Sequence, residues 1–289
     1  MKGRIIKGDS GFYYVYSEGS LYECKLRGKL KLKHKKAYPG DIVDLVVDEN
    51  YKGTIESIED RINLLPRPSI ANSDQLLIVM SLSYPKIDYN VLDRLLVLSQ
   101  WHNIKPVIIL NKKDEDQDNI GPEISNIYPF KVIEVSAVSG FGIDSLKDIL
   151  RDKLSVLAGP SGVGKSSVLN ILDSKLLKET GVLGEKLKIG RHTTRTSQFY
   201  EVDGGLIADT PGFSRLDLPI EMVMEDLTQY YPEFYEYTRE CYFNGCLHHM
   251  EKVCGVKKAL SDGKIDQGRY DRYLYMLEEI KENKERRYK

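Results

Sequence analysis

Residues 154–173, LSVLAGPSGVGKSSVLNILD, contain the feature that decides the fold. An apolar run suited to a buried strand enters a glycine-rich loop, and a segment with helical spacing leaves it. Gly159 to Ser166 match the pattern G-x-x-x-x-G-K-[ST] in the strand–loop–helix context that the pattern requires. The stretch therefore predicts an α/β domain that binds nucleotide phosphates with loop N–H groups and a helix start.

Two side chains of this loop have specific expected roles. Lys165 would reach the β- and γ-phosphates, and the Ser166 hydroxyl would ligate Mg²⁺. The predicted phosphate-contacting residues are Gly159, Pro160, Ser161, Gly162, Val163, Gly164, Lys165, Ser166 and Ser167.

A second motif, NKKD at 111–114, follows the apolar strand PVIIL and predicts the base. The Asp114 carboxylate can accept hydrogen bonds from guanine N1–H and the exocyclic amine. Adenine has no N1–H and would leave a carboxylate oxygen unpaired, at a cost of about 1–3 kcal/mol, which disfavours an ATPase. Ser136 and Ala137 end the strand KVIEVSA and complete the pocket with a backbone N–H for guanine O6. The predicted base-pocket residues are Asn111, Lys112, Lys113, Asp114, Ser136 and Ala137.

The switch segments of a GTPase are also recognisable. Asp209 and Gly212 belong to a D-x-x-G motif, in which the aspartate would hold Mg²⁺ through water and the glycine N–H would sense the γ-phosphate. Thr193 and Thr194 both qualify as the threonine that is ordered by the triphosphate. Thr194 is the candidate magnesium ligand beside Ser166, and the choice between the two threonines stays open.

Hydrolysis is expected to be slow. Many GTPases carry a water-orienting glutamine after D-x-x-G, whereas this chain has Phe213 there, which cannot orient water by hydrogen bonding. His192 is the local candidate for that role. The predicted catalytic residues are Lys165, His192, Thr193 and Thr194.

The motifs occur in an unusual order. Ordinary GTPases run from the phosphate loop through D-x-x-G to N-K-x-D, whereas here N-K-x-D and S-A come first. Cutting a ring of the usual order between D-x-x-G and N-K-x-D produces this arrangement, and new termini at surface loops are tolerated. We therefore predict a circularly permuted GTPase domain, with a mostly parallel sheet covered by helices on both faces. Switch II then leads directly into the C-terminal segment, which nucleotide state could reorient.

The N-terminal segment is predicted to be a small β-barrel. Five short strand-like segments in about 65 residues fit an OB-like barrel, and an SH3-like barrel is nearly as good. Residues 61–75 contain Pro66 and Pro68, which disfavour regular structure, so this stretch is the first expected boundary.

The C-terminal segment contains the ligand set Cys241-x4-Cys246-x-His248-x5-Cys254. Three thiolates and one imidazole suit a closed, structural zinc site, with His249 as the alternative imidazole. The expected domains are an OB-like barrel at 1–66, the permuted GTPase domain at 67–218 and a mostly helical zinc-binding domain at 219–289.

The composition limits the possible partners and the cellular location of the protein. The net charge is −1, so basic character is local, in residues 25–36 and in the tail 281–289. We find neither an apolar run near the ~18 residues of a membrane span nor an apolar signal core. The expectation is a cytoplasmic monomer without a membrane partner.

Together these motifs resemble the ribosome small subunit-dependent GTPase A family, the YjeQ/YloQ-like circularly permuted GTPases. The resemblance covers essentially the whole chain, including GRHTTR (190–195) and DTPGF (209–213). It implies an OB-fold, a zinc domain with His248 as ligand, and slow GTP hydrolysis stimulated by the small ribosomal subunit. It also implies rRNA as a partner in late subunit maturation. The alternative is a nucleotide-gated RNA-binding module in which hydrolysis is incidental.

Overall fold

The computed structural model describes residues 1–9, 11–28, 30, 36–48, 52–172, 175–176, 198–209 and 216–287. None of the helices in these ranges is both long enough and apolar enough to cross a membrane.

The N-terminal segment folds into a closed five-stranded barrel. Its strands are β1 (Lys2–Asp9), β2 (Phe12–Ser17), β3 (Ser20–Leu26), β4 (Ile42–Val47) and β5 (Lys52–Ile58). Their order is β1-β2-β3-β5-β4, and β4 pairs with β1 to close the barrel. Because β3 and β5 pair in parallel, the chain must cross over between them, as the Greek-key path of an OB-like barrel requires. The OB-like alternative is therefore the correct one.

The predicted boundary segment, residues 61–75, contains more regular secondary structure than Pro66 and Pro68 led us to expect. Residues 64–66 and 69–71 form a two-stranded antiparallel hairpin, β6 (Leu64–Pro66) and β7 (Ser69–Ala71). The expected irregular structure is therefore wrong for these two short strands. Pro66 occupies the last pair of the hairpin, next to the turn, where a missing N–H disturbs the ladder least.

The central domain is built on a seven-stranded sheet. Its strands are β8 (Gln75–Ser81), β9 (Lys105–Asn111), β10 (Lys131–Glu134), β11 (Leu154–Ala158), β12 (Lys175–Leu176), β13 (Gln198–Val202) and β14 (Gly205–Asp209). The order is β10-β9-β8-β11-β14-β13-β12. The first five strands are parallel, whereas β13 and β12 extend the sheet in antiparallel pairing.

Helices cover both faces of this sheet, as predicted. They are α1 (Tyr89–Trp101), α2 (Gly121–Ile127), α3 (Ile143–Leu150) and α4 (Lys165–Ile171). Alternate residues of β8 belong to different cores: Leu76 and Ile78 pack with α1 and α2, while Leu77 and Val79 pack with α3 and α4. This period-2 division explains why the strand sequence is apolar throughout.

The C-terminal segment is mostly helical, as expected. Its helices are α5 (Met224–Leu227), α6 (Tyr235–Thr238), α7 (Gly255–Ser261) and α8 (Gln267–Arg287). Its core includes Val97 of α1, and Trp101 packs against it. The segment is therefore joined to the central domain by a shared apolar core as well as by the chain.

The barrel also contacts the central domain. Ile6 and Tyr14 belong to the apolar core on the α1 side of the sheet, and Tyr16 packs against that core. The Tyr16 hydroxyl hydrogen-bonds Glu201 of β13; burial and this carboxylate together raise the pKa of Tyr16 to about 12. One outer face of the barrel is thus attached to the antiparallel edge of the sheet.

Candidate nucleotide and metal sites

The phosphate loop connects β11 to α4 at the carboxyl end of the parallel strands, where ligands of such sheets bind. Gly159 has φ 134°, and a Cβ there would lie 2.2 Å from the Val79 carbonyl oxygen. Glycine is therefore required for the close approach of this loop to β8. The Lys165 ammonium donates to the carbonyl oxygens of Gly159 and Pro160 at 2.8 and 2.7 Å. A lysine held by loop carbonyls can transfer its hydrogen bonds to phosphate oxygens.

Asp209 ends β14 beside this loop, because β14 is the parallel neighbour of β11 and Asp209 is in register with Leu157. Burial lowers the pKa of Lys165, and the charge of Asp209 opposes that shift. The strand pairing thus brings together Lys165 and Asp209, the residues predicted to contact the phosphates and the metal ion.

The base loop is braced against the phosphate loop by Asn111. Its Nδ2 donates to the Val163 carbonyl at 3.0 Å, and its Oδ1 accepts from the Ala137 N–H at 3.2 Å. A Cβ on Gly164 would lie 2.2 Å from Asn111 Nδ2, so this glycine also allows a close approach. One buried amide therefore connects the phosphate loop, the NKKD loop and the S-A segment.

Asp114 is exposed at the end of this arrangement, and Ser136 Oγ donates to its Oδ1 at 2.5 Å. This contact engages one carboxylate oxygen of a residue that is otherwise exposed. Within the Ser136-Ala137 segment, which is expected to supply a backbone N–H for guanine O6, the Ala137 N–H donates to Asn111 Oδ1. The ammonium group of Lys113, a predicted base-pocket residue, pairs with Asp116 and Glu134 at 2.9 and 2.7 Å.

The structure brings the phosphate-loop residues, the base-loop residues and Asp209 to one edge of the sheet. The other predicted residues fall in ranges outside the described residues: His192, Thr193, Thr194 and Gly212.

The three cysteines and His248 converge in the C-terminal segment, with all four candidate ligand atoms within 4.8 Å of one another. The Sγ atoms of Cys241 and Cys254 are 3.9 Å apart, close to the ~3.8 Å expected for two thiolates on a tetrahedral ion at ~2.3 Å. His248 Nδ1 lies 3.6 and 3.4 Å from these sulfurs. His248 is buried and His249 is exposed, so the geometry selects His248 as the imidazole.

The donor set fits zinc on chemical grounds. Burial raises the pKa of the Cys246 thiol to about 12 and also raises that of Cys254, while it lowers the pKa of His248. Three clustered thiolates would be unstable without a cation, whereas a divalent ion stabilises thiolates directly. Four protein ligands leave no open position, which is typical of a structural site.

Residues that no motif indicated hold this cluster in place. Tyr270 and Tyr273 on α8 donate to the carbonyl oxygens of His248 and Leu247 at 2.5 and 2.9 Å. Glu251 accepts from the backbone N–H groups of Leu247 and His249, both at 2.8 Å. These contacts fix the loop that presents His248. The i, i+3 spacing of Tyr270 and Tyr273, which places both on one side of α8, was the available signal.

A buried ionic cluster joins α1 to α8, and it was also missed from sequence. Asp93 and Arg269 are both fully buried, and Asp93 Oδ1 lies 3.0 Å from Arg269 Nη1. Arg272 Nε donates to Asp93 Oδ2 at 2.5 Å, and the Tyr128 hydroxyl donates to Oδ1 at 2.6 Å. Glu233 accepts from Arg269 Nε at 2.7 Å. Burial alone would lower the pKa of Arg269, but these acidic and phenolic neighbours raise it overall.

Arg94, the next residue of α1, connects three parts of the chain. Its Nη1 donates to the Leu216 carbonyl and to Glu279 Oε1, both at 3.1 Å, and its Nη2 pairs with Glu279 Oε2. Leu216 is the first described residue after the D-x-x-G segment, and Glu279 lies on α8. One guanidinium thus contacts both the chain that follows the D-x-x-G motif and the C-terminal helix.

The comparisons with known proteins agree with this geometry. The RsgA N-terminal domain model matches residues 2–55, and the RsgA GTPase model matches residues 58–219. The chain belongs to the RsgA GTPase family. Membership makes it a GTP-hydrolysing enzyme and confirms the resemblance drawn from its motifs.

Relatives and solved structures of the RsgA type match over nearly the whole chain. The small ribosomal subunit biogenesis GTPase RsgA of Caldanaerobacter subterraneus is 42% identical, covering 100% of this chain and 99% of the relative. The small ribosomal subunit biogenesis GTPase RsgA of Clostridium botulinum (strain Eklund 17B) is 43% identical, covering 100% of this chain and 100% of the relative.

Two solved structures have the same fold. YjeQ from Thermotoga maritima has a TM-score of 0.83 at 36% identity, covering 96% of this chain and 98% of that one. YloQ, described as a circularly permuted GTPase, has a TM-score of 0.79 at 35% identity, covering 97% and 95%. These similarities confirm the permuted fold predicted from motif order.

Proposed function

We propose that this RsgA-family GTPase binds the maturing small ribosomal subunit through rRNA and acts late in its biogenesis. Its slow intrinsic hydrolysis would be stimulated by that subunit. The names of the relatives support the ribosomal role. The structural observation that carries the proposal is that both flanking modules are linked to chain that follows the predicted switch segments: Tyr16 of the barrel contacts Glu201 on β13, and Arg94 of α1 joins Leu216 to Glu279 on α8.

The nucleotide site supports guanine binding at the sheet edge. Asp114 would accept the guanine N–H groups, and Ser136 holds it ready for that contact. Lys165 would exchange its loop carbonyl partners for β- and γ-phosphate oxygens. Ser166 and Asp209 would hold Mg²⁺, directly and through water, with Thr194 the candidate third ligand. The ion would neutralise charge that develops on the phosphates.

The barrel is attached where switch I ends. Tyr16 contacts Glu201 on β13, and β13 begins directly after the segment that contains Thr193 and Thr194. A rearrangement of that segment on hydrolysis would move the strand that carries the barrel contact.

The C-terminal module is attached where switch II ends. Arg94 bonds both the Leu216 carbonyl and Glu279, while the buried Asp93 pairs connect α1 to α8. The predicted reorientation therefore has a physical restraint. A conformational change at switch II would first affect the hydrogen bond between Arg94 and the Leu216 carbonyl. The C-terminal module would move with it only if α8 shifted relative to α1, because the Asp93 pairs hold these two helices together.

The barrel offers chemistry suited to RNA. Phe12 and Lys25 are cross-strand partners on β2 and β3, with the Lys25 ammonium 4.7 Å from the ring centroid. The β2–β3 face of an OB fold binds oligonucleotides through aromatic stacking and cationic side chains. We propose this face as an rRNA contact, together with the basic stretch 25–36.

The decisive experiment is steady-state GTP hydrolysis with purified small subunits, with large subunits, and alone. We expect a low basal rate that rises with small subunits only. Lys165→Ala should abolish both basal and stimulated turnover, because it removes the cation at the γ-phosphate. The matched control Lys131→Ala, at an exposed position on β10, should keep both.

The outcomes separate the candidate functions. Retained hydrolysis in the Lys165 variant would contradict the assigned site. Selective GTP binding and basal turnover without small-subunit stimulation would instead support a nucleotide-gated RNA-binding role. The absence of a glutamine after D-x-x-G predicts slow intrinsic hydrolysis under both candidates, so stimulation by the small subunit is the measurement that separates them.

A further inference from the structure

The loop between β8 and α1 borders the nucleotide site on a side that no motif describes. The Ser83 hydroxyl bonds Glu115 in the base loop, and the Lys112 ammonium donates to the Tyr84 carbonyl. On the other side, Pro85 Cδ lies 3.6 Å from the position that a Cβ on Gly162 would occupy. The loop therefore touches the base loop and the phosphate loop at once.

Local hydrogen bonds hold the backbone of this loop. The Ser81 hydroxyl donates to the Tyr84 carbonyl at 3.2 Å and accepts from the Ser83 N–H at 3.2 Å. The Tyr84 N–H donates to Ser83 Oγ at 2.5 Å. Despite this anchored backbone, the Tyr84 side chain is 81% exposed. A large aromatic ring is thus presented to solvent from a fixed position and contributes little to the protein core.

The position of the ring matters because of where a nucleotide must lie. Asp114 would fix the guanine edge, and the loop ending at Lys165 would hold the phosphates, so the ribose must cross the interval between the two loops. Ser83 and Pro85 contact the two sides of that interval, and Tyr84 is between them in the chain. Lys112 is also held there by the Tyr84 carbonyl, which would place its aliphatic stem beside the base.

We propose that Tyr84 is a nucleotide-contact residue, whose ring packs on the ribose and adjoining guanine edge of bound GTP or GDP. The proposal rests on the nucleotide pocket assigned under the proposed function. Closure of an aromatic side chain over a sugar–base edge excludes water and adds contact area. Its main effect would be to slow nucleotide release. Tyr84 thereby adds affinity that the sequence motifs do not account for.

The first test is GDP binding to the full chain by calorimetry, with dissociation followed from a fluorescent GDP analogue. We expect Tyr84→Ala to weaken GDP binding about 3- to 10-fold, mostly through faster release. Tyr84→Phe should stay within about twofold of the unmodified chain because the ring remains. Tyr242→Ala, which removes a similarly exposed ring from the zinc segment, should have no effect.

A spectroscopic test separates contact from a structural role. The chain has one tryptophan, Trp101, so Tyr84→Trp adds a single new emission. Saturating GDP should quench that emission while leaving the unmodified chain almost unchanged. Unchanged emission at a GDP concentration where calorimetry shows full binding would overturn the proposal, as would unaltered GDP affinity in Tyr84→Ala. Failure of the unmodified chain to bind GDP would instead refute the pocket itself.

Discussion

Asp93→Asn tests whether the buried ionic cluster holds the C-terminal module against the GTPase domain. Asparagine preserves the volume of the side chain and removes its charge. Asp93 is the carboxylate that Arg269 and Arg272 share, at 3.0 and 2.5 Å. Its removal leaves the fully buried Arg269 with reduced compensation. Glu233 still accepts from that guanidinium at 2.7 Å, so the compensation is not lost entirely.

The free energy lost in Asp93→Asn depends on how deeply the ion pair is buried. Breaking a buried pair by removing one partner costs about 3–5 kcal/mol, because a charge is left without its counter-ion in a low-dielectric site. The remaining contact with Glu233 places the expected loss near the lower end, at about 3 kcal/mol. That energy corresponds to roughly a 150-fold increase in the population of molecules in which α8 has separated from α1.

Hydrogen exchange of the α8 amides measures this opening directly. In Asp93→Asn the protection of α8 should fall roughly 150-fold, whereas strands β8 and β9 should keep theirs. Glu240→Ala is the control, because it breaks an exposed pair with Lys258 at 3.2 Å that is worth only about 0–1 kcal/mol. If protection of α8 changed less than threefold in Asp93→Asn, the idea that this charge holds the interface would be refuted.

Two further predictions concern the sites themselves. Asp114→Asn should reduce the preference for GTP over ATP by roughly 10- to 150-fold, since hydrogen bonds to a charged group are worth about 1.5–3 kcal/mol. Competition binding of the two nucleotides checks this, with Asp118→Asn in the same exposed loop as control, and an unaltered ratio would refute the base-pocket assignment. Cys254→Ser should lower the zinc content measured by atomic spectroscopy from one ion per chain and make the zinc segment more susceptible to proteolysis, because it removes one of the four ligands while the serine hydroxyl can still accept the Lys257 N–H that Cys254 Sγ accepts at 3.4 Å. Cys24→Ser, in the barrel, should leave the zinc content unchanged, and an equal loss of zinc in both variants would contradict the Cys3His site.

Much of the architecture could be predicted because it depends on local patterns. A phosphate loop needs its glycines, lysine and serine in consecutive positions, so the backbone conformation and the chemistry are encoded together in 159–166. The strands of a doubly covered sheet are continuously apolar, which located β9 and β11. The short strand β13 and helix α2 were not predicted, because a few residues in mixed polar sequence carry no clear period.

What the sequence by itself determined about this protein is its family, through the permuted order of the GTPase motifs, and the Cys3His set of candidate zinc ligands. Ligand chemistry resides in residue types and spacings, which are visible without coordinates. Only the tertiary structure showed that Asp93 is buried between two arginines of α8, that Arg94 reaches the exit of switch II, and that Tyr84 lies on an anchored loop beside the pocket. These features depend on contacts between segments as many as 185 residues apart, as in the Arg94–Glu279 pair, and no local pattern records such a distance.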